Sequence, residues 1–218
     1  MQESQQESLA RYYREKLHFD GGSQEDIEIP FEITSHQYLK YSEDDLNSDL
    51  IHKYINCLSN VKRAIHCQID SLLYVFDLYD HAIEKRWDFP KKVDHLKQIG
   101  VITPRILGKI NKNRNLLEHE YLNPNADVVE DALDVAKLFV GYTDRFLKRP
   151  FIDASFVNEA DTLCVNIELN RLDKRFAISE INTTKKGERE VIEFEISSDS
   201  EDYMLFLKFW IIHLSEIK

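Results

Sequence analysis

Residues 59–87 read SNVKRAIHCQIDSLLYVFDLYDHAIEKRW, and this stretch decides the class of fold. Ile65, Ile69, Leu72, Leu73, Phe76, Tyr79 and Ile83 recur at three- and four-residue steps, the apolar stripe of a helix that faces a core. No Gly or Pro interrupts the run, so the spacing predicts one long helix from about Asn47 through Trp87. Downstream, Pro90 and Gly100 bracket a short helix. Thr103-Pro104 opens the next, with Thr as N-cap and Pro in the first helical position, and it runs to about Tyr121, short of Pro124. A further helix, VVEDALDVAKLFVGYTDRFLK, starts at Asn125 or Asp127 and stops at Pro150.

Outward from this helical body the period changes. Leu163, Val165, Ile167 and Leu169 alternate, as do Ile192, Phe194 and Ile196. Phe176 and Ile178 supply a strand between them, and NRLDK and NTTKKGE supply the turns. Ser200 caps a last helix through YMLFLKFWIIHLSEI. Toward the N-terminus, residues 3–18 form a polar amphipathic helix closed by Gly21-Gly22. Ile27, Ile29, Phe31 and Ile33 then alternate as a strand, which Pro30 confines to a sheet edge; it is expected to join the C-terminal sheet. The predicted fold is α+β, an antiparallel helical bundle with a small antiparallel β-sheet and a C-terminal helix. It divides into an N-terminal helix and edge strand (1–44), the bundle (45–149), and the sheet with its helix (150–218).

Composition narrows the function. Over 218 residues, 28 Lys and Arg face 39 Asp and Glu, a formal net charge of −11. Three cysteines, Cys57, Cys67 and Cys164, are widely spaced without a C-x-x-C, which argues against a disulfide framework and a thiolate metal site. Cys57 and Cys67 read as helical core, and Cys164 as part of an inward strand face beside Leu163 and Val165. No glycine pattern of the phosphate-cradling kind and no G-x-S-x-G elbow occurs. The polar, acidic N-terminus predicts no secretory signal. The most apolar run, 204–214, is broken by Lys208 and His213 and falls short of the ~20 residues that span a bilayer. The expected setting is therefore the cytoplasm, without membrane, metal or cofactor.

The acidic total hides one basic stretch. Residues 85–114 hold nine Lys or Arg against Asp88 and Asp94, a net of +7 that leaves −18 on the rest of the chain. Such a stretch on an acidic protein marks an anion-binding surface or a solvated lysine-rich face. Asp70, Asp77, Asp80, His81 and Glu84 form a polar stripe on the long helix and read as a solvated face. His66 with Asp70 reads as a local hydrogen-bonded pair, and Trp87 and Trp210 as core or dimer contact.

The basic stretch runs into KINKNRNLLEHEYLNP, residues 109–124. Here Arg114 and Asn115 precede His119 and Tyr121 as R-N-x3-H-x-Y near the end of a helix. On an ideal helix Asn115 and His119 share one stripe, while Arg114 and His119 lie about 140° apart. The latter two converge on one phosphate where the helix end loosens or a second copy supplies partner groups. Read from the residues alone, Arg114 also pairs with Glu118, His119 favours a helix C-terminus, and Tyr121 serves as a core aromatic.

Over about residues 45–149 the pattern resembles the HEPN superfamily, the higher eukaryote and prokaryote nucleotide-binding domains, whose ribonuclease members carry R-x4-6-H with a polar residue after the Arg. The resemblance implies a metal-independent endoribonuclease acting as a toxin or phage-defence effector. A homodimer would build its composite site from Arg114, Asn115 and His119. Arg105, Lys109 and Lys112, one to three turns earlier, are candidate RNA contacts. The Tyr two residues after the His resembles HEPN toxins that a nucleotidyltransferase antitoxin silences by adding AMP, which makes Tyr121 a candidate modification site and such an antitoxin a candidate partner. A non-catalytic HEPN-like module binding RNA, nucleotide or protein is the alternative. A third reading is an acidic interaction protein drawn to a basic partner.

Overall fold

The computed structural model describes residues 4–105, 107–110, 124–184 and 187–215. The chain forms two compact units: one from residues 1–26, 98–100 and 149–218, the other from 27–97 and 101–148.

The first unit carries a five-stranded antiparallel sheet in sequential order, β1 (His18–Gly21), β2 (Asp153–Val157), β3 (Leu163–Asn170), β4 (Arg175–Thr183) and β5 (Arg189–Ser197). The predicted alternation holds in β3, where Leu163, Val165, Ile167 and Leu169 are buried. The intervening Cys164 falls on the opposite, half-buried face, which corrects its assignment to the inward side: a strand cannot point adjacent residues the same way. Two helices, α1 (Gln5–Arg14) and the C-terminal Glu201–Ser215, belong to this unit. Phe156 and Phe176 of the sheet meet Trp210, and Tyr12 of α1 meets Phe206 and Phe209. Ser200 caps the last helix by accepting from the Asp202 amide (3.2 Å).

The second unit is helical: α2 (Ser35–Leu46), α3 (Lys53–Val75), α4 (Tyr79–Glu84), α5 (Phe89–Gln98) and α6 (Ala126–Thr143), with residues 107–110 also helical. The C-terminal helix of the first unit is accordingly α7. Within this unit α3 packs against both α2 and α6. Leu58, Val61, Ile65, Ile69 and Leu72 of α3 and Val129, Leu133, Ala136 and Val140 of α6 are buried, at the spacing that makes one apolar stripe per helix.

Three segments differ from the sequence pattern. Residues 27–33 form no strand. Ile27, Ile29 and Phe31 are half-buried and Glu28, Pro30 and Glu32 exposed, so the chain is extended with one face inward, but the sheet edge is His18–Gly21 instead. Alternation reports which face is covered; it does not report a ladder. Second, α2 occupies a stretch to which the sequence pattern assigns no element, because SHQYLKYSEDDL carries few apolar residues and buries Ser35 and Ser42 beside Leu39. Third, the helix expected from Asn47 to Trp87 breaks after Val75, at Asp77 with φ 56°.

That break belongs to a pattern. In a Schellman ending, the residue past the helix takes a left-handed conformation and the next amide reaches back five residues. Leu78 N–H donates to Leu73 O and Asp77 N–H to Tyr74 O. Trp87 N–H donates to Ala82 O with Arg86 left-handed, and Leu17 N–H to Tyr12 O with Lys16 left-handed. Val101 N–H donates to Leu96 O with Gly100 left-handed. Each reach-back residue, Leu17, Leu78, Trp87 and Val101, is buried. The apolar anchor fixes the helix ends, and only one of the four uses glycine.

Candidate functional site

The residues that would carry catalysis, Arg114, Asn115 and His119, lie outside the described residues, as do Lys112 and Tyr121. The flanks are described. Leu107 and Ile110 are buried while Arg105 and Lys109 are exposed, so this segment turns its apolar side inward and its cations outward. Thr103 does not cap it: its Oγ1 is buried without a hydrogen-bond partner, and the first turn closes through Leu107 N–H on Pro104 O (3.0 Å). On the far side Asn125 Oδ1 accepts from the Asp127 amide (3.0 Å) and starts α6.

The remainder of the basic stretch divides into cations held by described neighbours and cations exposed at the surface. Lys92 Nζ binds Asp70 Oδ1 at 2.7 Å with both side chains largely covered. Lys91 sits over the Trp87 ring (5.7 Å), and His95 stacks on the same ring at 3.6 Å while its Nδ1 meets Lys91 O. Lys85, Arg86 and Lys97 are exposed, as are Arg105 and Lys109.

The polar stripe does not act as a unit. Asp70 is turned to Lys92, Asp77 occupies the helix break, His81 lies edge-on to Trp87 and Asp80 and Glu84 are exposed. Among the described residues no group of three or more His, Cys, Asp or Glu is placed to hold a metal ion. His66 stacks on Phe89 at 4.5 Å. Burial pushes the Cys57 thiol up to about 12 and raises Cys67 and Cys164 as well. None is the depressed thiolate that nucleophilic catalysis uses.

Two arrangements in the helical unit escape a linear reading. A groove of about 570 Å³ runs between the extended segment 30–33 and α3, lined by Phe31, Tyr38, Tyr79, Arg63, His66 and Asp70. Burial, together with the Asp70 and Asp80 carboxylates, raises the Tyr79 phenol above its ordinary value. The second is a carboxylate–imidazole pair. His36 Nε2 meets Asp144 Oδ2 at 2.8 Å, and Lys148 Nζ meets the same oxygen at 3.0 Å. Buried Gln68 links the pair to the core: its Nε2 donates to Thr143 Oγ1 (2.8 Å) and Asp144 Oδ1 (3.3 Å), and its Oε1 accepts from Ser35 (2.6 Å). His36 and Asp144 stand 108 residues apart in sequence, so no local motif announces them. The only hint is a Gln at a core position of α3, which needs polar company.

No described helix is long and apolar enough to cross a membrane. Comparison with protein-family models, curated proteins and solved structures finds no match to this chain.

Proposed function

We propose that the chain is a metal-independent endoribonuclease of the HEPN type, a cytoplasmic toxin or defence effector. The observation that carries this reading is the R-N-x3-H-x-Y spacing of Arg114, Asn115, His119 and Tyr121 at the end of the +7 stretch. Arg105 and Lys109, exposed on the described flank, add phosphate-binding charge beside it, with an affinity that falls as salt rises.

The chemistry follows from the residue types. His119 accepts the proton of an RNA 2′-hydroxyl. The freed oxygen attacks the adjacent phosphorus, the bond from phosphorus to the 5′-oxygen breaks, and the departing oxygen takes up a proton. The products are a 2′,3′-cyclic phosphate and a 5′-hydroxyl. Arg114 meets the charge that grows on the phosphoryl oxygens with its two-pronged guanidinium. Asn115 orients the imidazole or a phosphoryl oxygen. AMP on Tyr121 would place bulk and negative charge beside this pair and exclude an anionic substrate.

The test is incubation of the purified chain and its His119→Ala variant with total RNA in EDTA, followed by analysis of fragment ends. Cleavage by the wild type alone, with cyclic phosphate ends, is expected. RNA binding that survives His119→Ala without any cleavage by the wild type would replace the nuclease with a binding module.

A further inference from the structure

The open edge of the sheet offers a docking surface whose geometry selects its occupant. Beyond the ends of β5, Ser198 N–H donates to Lys174 O and Thr184 N–H to Glu188 O, each at 2.8 Å. The pairs Phe176–Ile196, Ile178–Phe194, Glu180–Ile192 and Asn182–Glu190 fall on the same phase of the register. Even-numbered residues of β5 therefore bond to β4, and odd-numbered residues turn their N–H and C=O outward. The free edge is bounded at one end, where Gln5 Nε2 donates to Glu195 O (3.1 Å) and Arg175 pairs with the Glu195 carboxylate (3.2 Å). Between Arg189 and Glu193 no described residue bonds the outward backbone groups, and Val191 at the centre is 55% exposed. A strand with unpaired amides and an exposed apolar residue is a template for another strand.

We propose that two copies of this chain pair β5 to β5, antiparallel about a two-fold axis at Val191, and join their sheets. Outward-facing residues must meet outward-facing residues, which leaves few registers. An axis at Val191 sets Val191 on Val191 of the partner subunit and Arg189 opposite Glu193 of the partner subunit, twice over by symmetry. An axis at Glu193 would set like charges face to face, which disfavours it. One at Ile192 would draw in Glu195, whose carbonyl and carboxylate are already engaged. Of these registers, the one centred on Val191 pairs opposite charges and leaves the engaged Glu195 undisturbed. This pairing stands apart from the nuclease reading and does not depend on it.

The test is sedimentation analysis of the full chain with paired charge variants. The wild type should dimerise. Arg189→Glu and Glu193→Arg should each weaken the dimer by about tenfold, since each creates two like-charge pairs, and the double variant should restore it. Val191→Pro removes an amide that β4 does not use, so it should yield a folded monomer, checked by circular dichroism. A wild type that remains monomeric at high micromolar concentration overturns the proposal, including one that instead binds a basic extended peptide along this edge. So does a dimer indifferent to both single variants, or a double variant that stays as weak as either single one.

Discussion

Tyr12 on α1 donates its phenolic hydrogen to Glu180 in the middle of β4, and both side chains have no solvent exposure. The second carboxylate oxygen is bound by Arg11, whose guanidinium also donates to Asn182 Oδ1 at 3.4 Å. A buried carboxylate costs several kcal/mol unless its charge and lone pairs are met. Here neighbouring residues of one helix meet them. Tyr12→Phe should cost about 1–3 kcal/mol, because it removes one donor and leaves the ion pair. Arg11→Ala should cost more, about 3–5 kcal/mol, because it strands the charge. Urea unfolding of both variants gives the order; a larger loss for Tyr12→Phe would mean that the phenol's hydrogen bond holds the carboxylate more than the guanidinium's charge does.

Arg86 ends α4 in a left-handed conformation with φ 51°, and its side chain is exposed. A residue with a Cβ carries a steric penalty there that glycine does not. Arg86→Gly should therefore stabilise the chain by roughly 0.5–1 kcal/mol, read as a higher urea midpoint. An unchanged or lower midpoint would show that the side chain compensates for the strain.

Gly22 makes the opposite case. A Cβ at this position would stand 2.4 Å from Asp153 O and 3.1 Å from Ala154 Cα, both backbone atoms of β2 that cannot yield without moving the strand. Gly22→Ala should destabilise by about 1–3 kcal/mol, which lowers the melting temperature by about 2–4 °C per kcal/mol for a chain of this size. Calorimetry checks it.

The cysteines should be quiet. With the Cys57 thiol pushed up to about 12 by burial, followed by the Asp45 carboxylate, it carries almost no thiolate at pH 8. Cys67 and Cys164 are raised as well. Alkylation at pH 8 should label none of the three at the rate of a free thiol, and Cys57 only after unfolding. Mass spectrometry of labelled peptides would reveal the contrary.

The elements that could be read from the sequence are those whose apolar residues keep one period. In β3 to β5, α6 and α7, burial follows the alternation or the helical stripe. Where polar residues do the burying, periodicity is silent. The core side of α2 holds Ser35 and Ser42, yet its start is written as Thr34 and Gln37, which cap each other's backbone amides at 3.2 and 2.8 Å. β2 presents only Ala154 and Phe156 inward, too short a run to stand out. Its end is fixed by Asn158, whose Oδ1 accepts from the Thr162 and Leu163 amides. The helix endings at Lys16, Asp77 and Arg86 lack the expected glycine and are marked instead by the apolar residue that follows. Of the candidate site, the flanking cations Arg105 and Lys109 are described, and both are exposed. The His36–Asp144 pair joins residues that only tertiary packing brings together.

One consequence lies in the chain's route. β1 and β2 are antiparallel neighbours, and Asp26 and Arg149, just beyond them, form an ion pair at 3.9 Å. In the sequence, the segment that forms the helical unit is therefore the connection between β1 and β2. As an unfolded loop it would impose an entropic cost on strand pairing that grows with the logarithm of its length. Once folded it brings its two ends into register in advance. Assembly should then be sequential: the helices form first through local contacts, and the sheet closes late and slowly. A mutation that loosens the helical core would be felt as a delay in strand pairing.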